Sequence, residues 1–222
     1  MPPRSRTTLQ NPNPIESKLK VYPLPAPVES LLHGIPELIQ GSPEEVVFLP
    51  RHPRNNSSMS RIRGFPPIAN ASARTLILGS MPGQASLHAG QYYAHPRNAF
   101  WPIVSELLGI RNGASYAVRI RALQSAGIAL WDVLQSCKRD GSLDARIQAG
   151  SVTVNDFRQF LDSHRRITRI YFNGATAEST FRRAVLPALG PLSPTLTRLP
   201  STSPAHASLS IKEKLEAWRL IL

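Results

Sequence analysis

From about residue 73 onward, apolar and polar positions follow two interleaved periods. Short strands are read at Arg74–Leu78, with the apolar run Leu76–Leu78 stopped by Gly79, at Ile128–Val133, at Ile167–Phe172, closed by Asn173-Gly174, and at Leu196–Leu199. Between them, apolar residues recur at helical spacing over Phe100–Leu108, Tyr116–Ser125, Asp156–His164, Ala175–Leu189 and Leu209–Leu220. Gly109 and Gly127 stop the first two helices, and Pro187 falls in the last turn of the fourth. Strands separated by helices predict a small parallel sheet with helices on both faces, an α/β/α three-layer sandwich over about residues 64–222. The chain contains no internal repeat.

The first 58 residues break this pattern. Prolines recur from Pro2 to Pro53, densely enough to interrupt helices and central strands. Only Glu29–Ile39 could form a short amphipathic turn, and the rest is expected to be disordered or loosely attached. An organelle-targeting leader fits poorly with Glu16, Glu29, Glu37, Glu44 and Glu45. Met59 could equally be a start, with the upstream segment an extension. The expected division is a Pro-rich extension over 1–58 and a catalytic domain over 59–222.

Composition narrows the class. A hydrophobic fraction of 41% supports a real core, and a net charge of +12 favours a polyanion such as nucleic acid, although a generally Arg-rich proteome would give the same charge. Cys137 is the only cysteine, which excludes an intrachain disulfide and a cysteine-based zinc or iron–sulfur site. The apolar runs are too short to span a bilayer, so no membrane partner is expected. No charged-then-apolar leader is visible, and a reducing intracellular compartment is expected: the cytoplasm in a prokaryote, with a nucleus or organelle left open.

The chemistry concentrates in residues 76–102, LILGSMPGQASLHAGQYYAHPRNAFWP. A strand stops at Gly79-Ser80-Met81-Pro82-Gly83 and passes into a loop bearing Tyr92, Tyr93 and Asn98, before a helix opens at Phe100-Trp101. Open α/β sheets build ligand crevices at such strand ends. Two stackable rings and an amide suit a planar base held beside a positioned water. The run resembles the first motif of the uracil-DNA glycosylase superfamily, and most closely its hypoxanthine-DNA glycosylase branch. It matches that branch at Leu78, Gly79, Ser80, Pro82, Ser86, Leu87, Gln91, Tyr92, Tyr93, Pro96, Asn98, Phe100 and Trp101. The related mismatch-uracil enzymes carry a catalytic Asn where this chain has Met81, which cannot orient water. The resemblance therefore moves the catalytic amide to Asn98, with Ser80, Met81, Pro82, Gly83, Tyr92 and Tyr93 lining the base pocket and Ser86 near DNA.

Three further blocks extend the resemblance. Gly127–Leu134 is similar to a strand that ends, in uracil glycosylases, in an Asn reading the base edge. Here Asp132 stands there, and a carboxylate could accept the N1–H of hypoxanthine while repelling the N1 acceptor of adenine. Asp132 could instead cap a turn or pair with Arg139 or Lys138. Ser142-Leu143-Asp144 with Ile147 also resembles the branch, with Asp144 read as a cap or turn residue. Asn173-Gly174 begins a helix whose free N–H groups could meet a phosphate or the base pocket, or could simply form a tight turn. Leu199–His206 resembles the second superfamily motif, with Leu199 where classical members place a His. Ser201, Thr202 and Ser203 are candidate phosphate donors, Pro204 a wedge, and His206 a DNA contact or a surface residue.

The resemblance implies a DNA glycosylase that flips a deaminated base, hypoxanthine first, and cleaves its bond to C1′ with water. A monomer acting on double-stranded DNA is expected, with single strands not excluded. No histidine spacing suits a metal, and no cofactor is expected. No lysine lies in the pocket motifs, so no Schiff-base step is expected. A uracil-preferring enzyme and a non-catalytic nucleic-acid-binding module remain the alternatives.

Overall fold

A computed structural model describes residues 61–222. Seven strands run in chain order: β1 (Arg61–Arg63), β2 (Thr75–Gly79), β3 (Ile128–Asp132), β4 (Leu134–Lys138), β5 (Thr153–Val154), β6 (Arg169–Asn173) and β7 (Thr195–Leu199). The helices are α1 (Gln84–Ala89), α2 (Phe100–Leu107), α3 (Tyr116–Ser125), α4 (Phe157–Ser163), α5 (Ala175–Ala184), α6 (Leu186–Leu189) and α7 (Ile211–Trp218). Four strands form a wholly parallel sheet in the order β3-β2-β6-β7. Every residue of β2 and β3 is buried, as strands covered on both faces require.

The alternation of side chains along the strands divides the interior in two. Leu76 and Leu78 point into one core with Trp131, Ile170, Phe172, Phe157 and Phe181, from β3, β6, α4 and α5. Ile77 points the other way, into a core with Leu130, Tyr171, Phe100, Leu123 and Trp218, which brings in α2, α3 and α7. The expected sandwich is thus present.

The structure departs from the predicted elements at identifiable points. The helix expected over Ala175–Leu189 breaks at Val185 (φ −109°, ψ −52°) into α5 and α6, with Pro187 near the start of the second piece. Proline lacks an N–H and crowds the preceding turn, so one continuous helix is not available there. A second, antiparallel sheet, β1-β4-β5, was not expected. Helix α1, also unexpected, occupies the loop after β2 and ends at Gly90 in the left-handed conformation. The expected turn at Glu29–Ile39 lies outside the described residues. Among those residues no helix is long and apolar enough to cross a membrane.

Candidate active site

The parallel register brings four strand ends into one row. Gly79 pairs with Asp132, Leu78 with Phe172, and Asn173 with Leu199, so Asp132, Gly79, Asn173 and Leu199 line up at the carboxyl edge of the sheet. This is where open α/β sheets hold their ligands. The loop carrying Tyr93 and Asn98 and the loop Pro200–His206 flank that edge, joined by the Ala99 N–H donating to the Thr202 carbonyl at 3.0 Å.

Tyr93 is the one non-glycine described residue at positive φ, +54°. Such a conformation costs on the order of 1–3 kcal/mol and persists only where its surroundings impose it. Here one face of the Tyr93 ring stacks on Phe100, with centroids 4.0 Å apart and planes at 21°. The hydroxyl is buried without a hydrogen-bond partner, and so is Oδ2 of Asp132. Both groups crowd the same point. A Cβ added to Gly79 would lie 2.3 Å from Asp132 Oδ1 and 2.9 Å from the Tyr93 hydroxyl, so any larger residue would displace these side chains.

Asp132 is 3% exposed. Burial, followed by the nearby charge of Asp144, pushes its carboxyl up to about 8, against the opposing pull of Arg139. At neutral pH the carboxyl therefore holds its proton. Arg139 does not form an ion pair with Asp132. Its guanidinium donates to the Pro82 and Gly141 carbonyls and lies 3.7 Å from Asp144. Asp144 accepts a 2.6 Å bond from the Ser80 hydroxyl, and its own carboxyl is raised, chiefly by burial. Arg139 and Asp144 together fix the Ser80–Pro82 turn under the crevice. Sequence reading missed the role of Arg139 and took Asp144 for a turn residue.

At Asn98, Oδ1 accepts the Phe100 N–H at 2.9 Å and helps open α2, while no partner is recorded for the amide Nδ2. The side chain is partly exposed beside the crevice. Tyr92 lies elsewhere: it is 3% exposed, packs in the second core, and its hydroxyl donates to the Pro66 carbonyl at 3.1 Å. Met81 likewise packs in the first core. Pro82 is buried, and Gly83 precedes α1, where Ser142 Oγ accepts the Gln84 N–H at 2.9 Å.

The expected phosphate contacts are redistributed. Ser86 is buried and its hydroxyl accepts the Ala94 N–H at 3.2 Å, so it is turned inward. Thr202 is 1% exposed and exchanges two 2.8 Å bonds with Asn173, donor to acceptor in each direction. These residues therefore clamp the loop to β6. Ser201 and Ser203 accept N–H groups within the loop, from Ser203 and Ala205. Gly174, at φ +97°, lets Ser201 approach: a Cβ there would lie 2.8 Å from Ser201 Cβ. Pro204, Ala205 and His206 form an exposed tip, braced by Lys214 Nζ donating to the His206 carbonyl at 2.6 Å and by Trp218 Nε1 donating to the Pro200 carbonyl at 2.9 Å. Leu199 is 2% exposed and part of the core, so its position offers no acid to a leaving base. No group of three or more His, Cys, Asp or Glu residues suited to a metal occurs among the described residues.

A polar row at the carboxyl edge of the sheet, flanked by two loops, is where α/β enzymes of many activities bind their ligands, and similarity to known proteins narrows the class. The family model for the Uracil DNA glycosylase superfamily matches residues 66–221, and the chain belongs to that superfamily. Proteins named Hypoxanthine DNA glycosylase from Methanosarcina barkeri and Methanosarcina acetivorans are each 32% identical to it. The first aligns over 157 residues, 70% of this chain and 94% of that protein. The second aligns over 160 residues, 72% and 96%. A solution NMR structure from Methanosarcina acetivorans, provisionally described as a uracil DNA glycosylase, superposes with a TM-score of 0.60 at 30% identity, covering 73% of this chain and 99% of that one. The resemblance read from the sequence, and the fold it implied, are thereby borne out.

Proposed function

We propose that the protein removes deaminated bases from duplex DNA, hypoxanthine first, acting as a monomer and by hydrolysis alone. The observation that carries this reading is the placement of the buried Asp132 carboxyl, its Oδ2 without a hydrogen-bond partner, beside the partly exposed Tyr93 ring at the sheet's carboxyl edge. The names of the relatives point to the same base.

In this reading, basic side chains and loop amides hold the DNA phosphates, and the exposed Pro204–His206 tip fills the gap left by a flipped nucleotide. The base enters at this edge and stacks on the side of Tyr93 opposite Phe100. Its lactam edge, N1–H beside C6=O, meets Asp132. Asn98 holds a water beneath C1′ through its amide Nδ2 and the remaining lone pair of Oδ1. The bond from C1′ to the base breaks with oxocarbenium character, DNA phosphates help stabilise the cation, and water adds to leave an abasic site. Among the pocket residues named here there is no lysine to form a Schiff base, so the strand stays intact.

The test is excision from duplexes carrying deoxyinosine, deoxyuridine or deoxyxanthosine, with and without alkali. Deoxyinosine cleaved fastest, and only after alkali, supports the proposal. Uracil removed faster assigns a uracil-preferring enzyme. No excision from any of the three assigns a binding module.

A further inference from the structure

The second superfamily motif offers no side-chain donor here, because Leu199 is in the core. Yet a departing base needs a partner for the charge it acquires. Two buried polar groups lack a hydrogen-bond partner, the Tyr93 hydroxyl and Asp132 Oδ2, and the same two side chains crowd the space above Gly79 through the Tyr93 hydroxyl and Asp132 Oδ1. Resting on the functional reading above, we propose that Asp132 acts as a neutral carboxylic acid that donates its O–H to the leaving base, and that Tyr93 decides which of its two oxygens carries that proton.

The surroundings fit a neutral acid. Asp132 Oδ2 has no donor to stabilise a charge there, and the pull of Arg139 is outweighed by burial and Asp144. Each element packed around it contributes. The Tyr93 and Tyr92 hydroxyls come from the loop before α2, Arg139 follows β4, and Asp144 lies in the short helical turn Asp144–Arg146. Arg139, the one cation among them, is held by Pro82, Gly141 and Asp144. Burial and Asp144 together raise the Asp132 carboxyl to about 8.

A neutral acid has one donor and one acceptor, which suits a lactam edge. Without a base the Tyr93 hydroxyl has no hydrogen-bond partner, and the Asp132 oxygen that shares the space above Gly79 with it is Oδ1; in the proposed complex the hydroxyl turns to donate to Oδ1, leaving Oδ1 as acceptor and Oδ2 as the protonated oxygen. Oδ1 then takes the N1–H of hypoxanthine, and Oδ2–H points at O6. As the bond from C1′ to N9 breaks, its electron pair passes to the base and part of the negative charge reaches O6, where the Asp132 proton stands. Adenine presents its amino group and N1 in the opposite order along the same edge. It mismatches both positions as long as the proton stays on Oδ2. Tyr93 is thus a positioning residue for specificity as well as a stacking surface.

The experiment is single-turnover excision of hypoxanthine from a deoxyinosine duplex between about pH 6 and pH 9.5. The proteins are the full chain, Asp132→Asn and Tyr93→Phe, each checked for folding by urea denaturation, with a deoxyadenosine duplex in parallel. For the full chain, the rate is expected to fall up to roughly tenfold per unit above about pH 8, as one proton is lost. Asp132→Asn, a permanent donor and acceptor, should lose that alkaline fall and excise within roughly tenfold of the parent at pH 7. Tyr93→Phe keeps the ring and should lower the preference for hypoxanthine over adenine by roughly tenfold. A parent rate that rises through pH 8, an alkaline fall that persists in Asp132→Asn, or an unchanged base preference in Tyr93→Phe would each overturn the proposal. A parent that excises nothing at any pH overturns the functional reading itself, and this inference with it.

Discussion

Replacing Asp132 by Asn should stabilise the protein, and the gain should grow with pH. Asn keeps the size and shape of the side chain but cannot ionise. The Asp132 carboxyl moves from an ordinary 3.8 to about 8 on folding. Between those values the folded chain keeps a proton that the unfolded chain has released. Stability therefore falls as pH rises, by at most about 1.4 kcal/mol per unit. The fall begins near the unfolded value and ends once pH exceeds the folded one. Across the whole window the ceiling is about 6 kcal/mol, which water entry or relaxation around the carboxylate would reduce. The amide variant is free of this term, and the other titrating groups are common to both proteins. The stability difference between variant and parent isolates it. Urea unfolding at about pH 5, 7 and 9 measures that difference, which should widen by roughly 2–3 kcal/mol from pH 5 to 7 and further to pH 9. A difference that stays flat over this range would show that Asp132 ionises normally in the folded protein.

Gly79→Ala places a methyl 2.3 Å from Asp132 Oδ1 and 2.9 Å from the Tyr93 hydroxyl. It should abolish excision while leaving duplex binding within a few-fold, which a gel-shift titration beside the excision assay would check. Arg139→Met should cost roughly 3–5 kcal/mol in urea unfolding, because it strips the Pro82 and Gly141 carbonyls and Asp144 of a buried partner. A protein beginning at Met59 should excise at a rate close to that of the full chain, since all the motifs lie beyond it.

The parallel sheet was legible chiefly through the buried stretches of β2 and β3, Leu76–Leu78 and Ile128–Trp131, and the turn residues around them. The antiparallel sheet was not. Leu134–Lys138 follows β3 after a single residue and carries no separate strand signal, so the expected strand ended at Val133, and its partner Arg61–Arg63 is three residues with one apolar side chain. Helix α1 is six residues long and lacks a side-chain cap. In the site, Tyr93, Asn98 and Asp132 stood out as chemistry-bearing types at strand ends. The roles of their neighbours depend on contacts far apart in sequence. Ser80 meets Asp144 across 64 positions, and Arg139 reaches Pro82 across 57. No local pattern encodes either. Tyr92 and Tyr93 are adjacent and chemically alike, yet one is a core residue and the other lines the crevice, because the chain turns left-handed at Tyr93.

The most direct test of the account is single-turnover excision of hypoxanthine by Asn98→Ala, with urea stability and duplex binding measured on the same preparation. Removing the bond from Asn98 Oδ1 to the Phe100 N–H should cost only about 1 kcal/mol of stability. Removing the group that holds the attacking water should slow excision by roughly 10²–10⁴, with DNA binding largely retained. Excision within a few-fold of the parent would leave Asn98 as a brace for the start of α2 and nothing more, and would contradict the assignment of the catalytic amide.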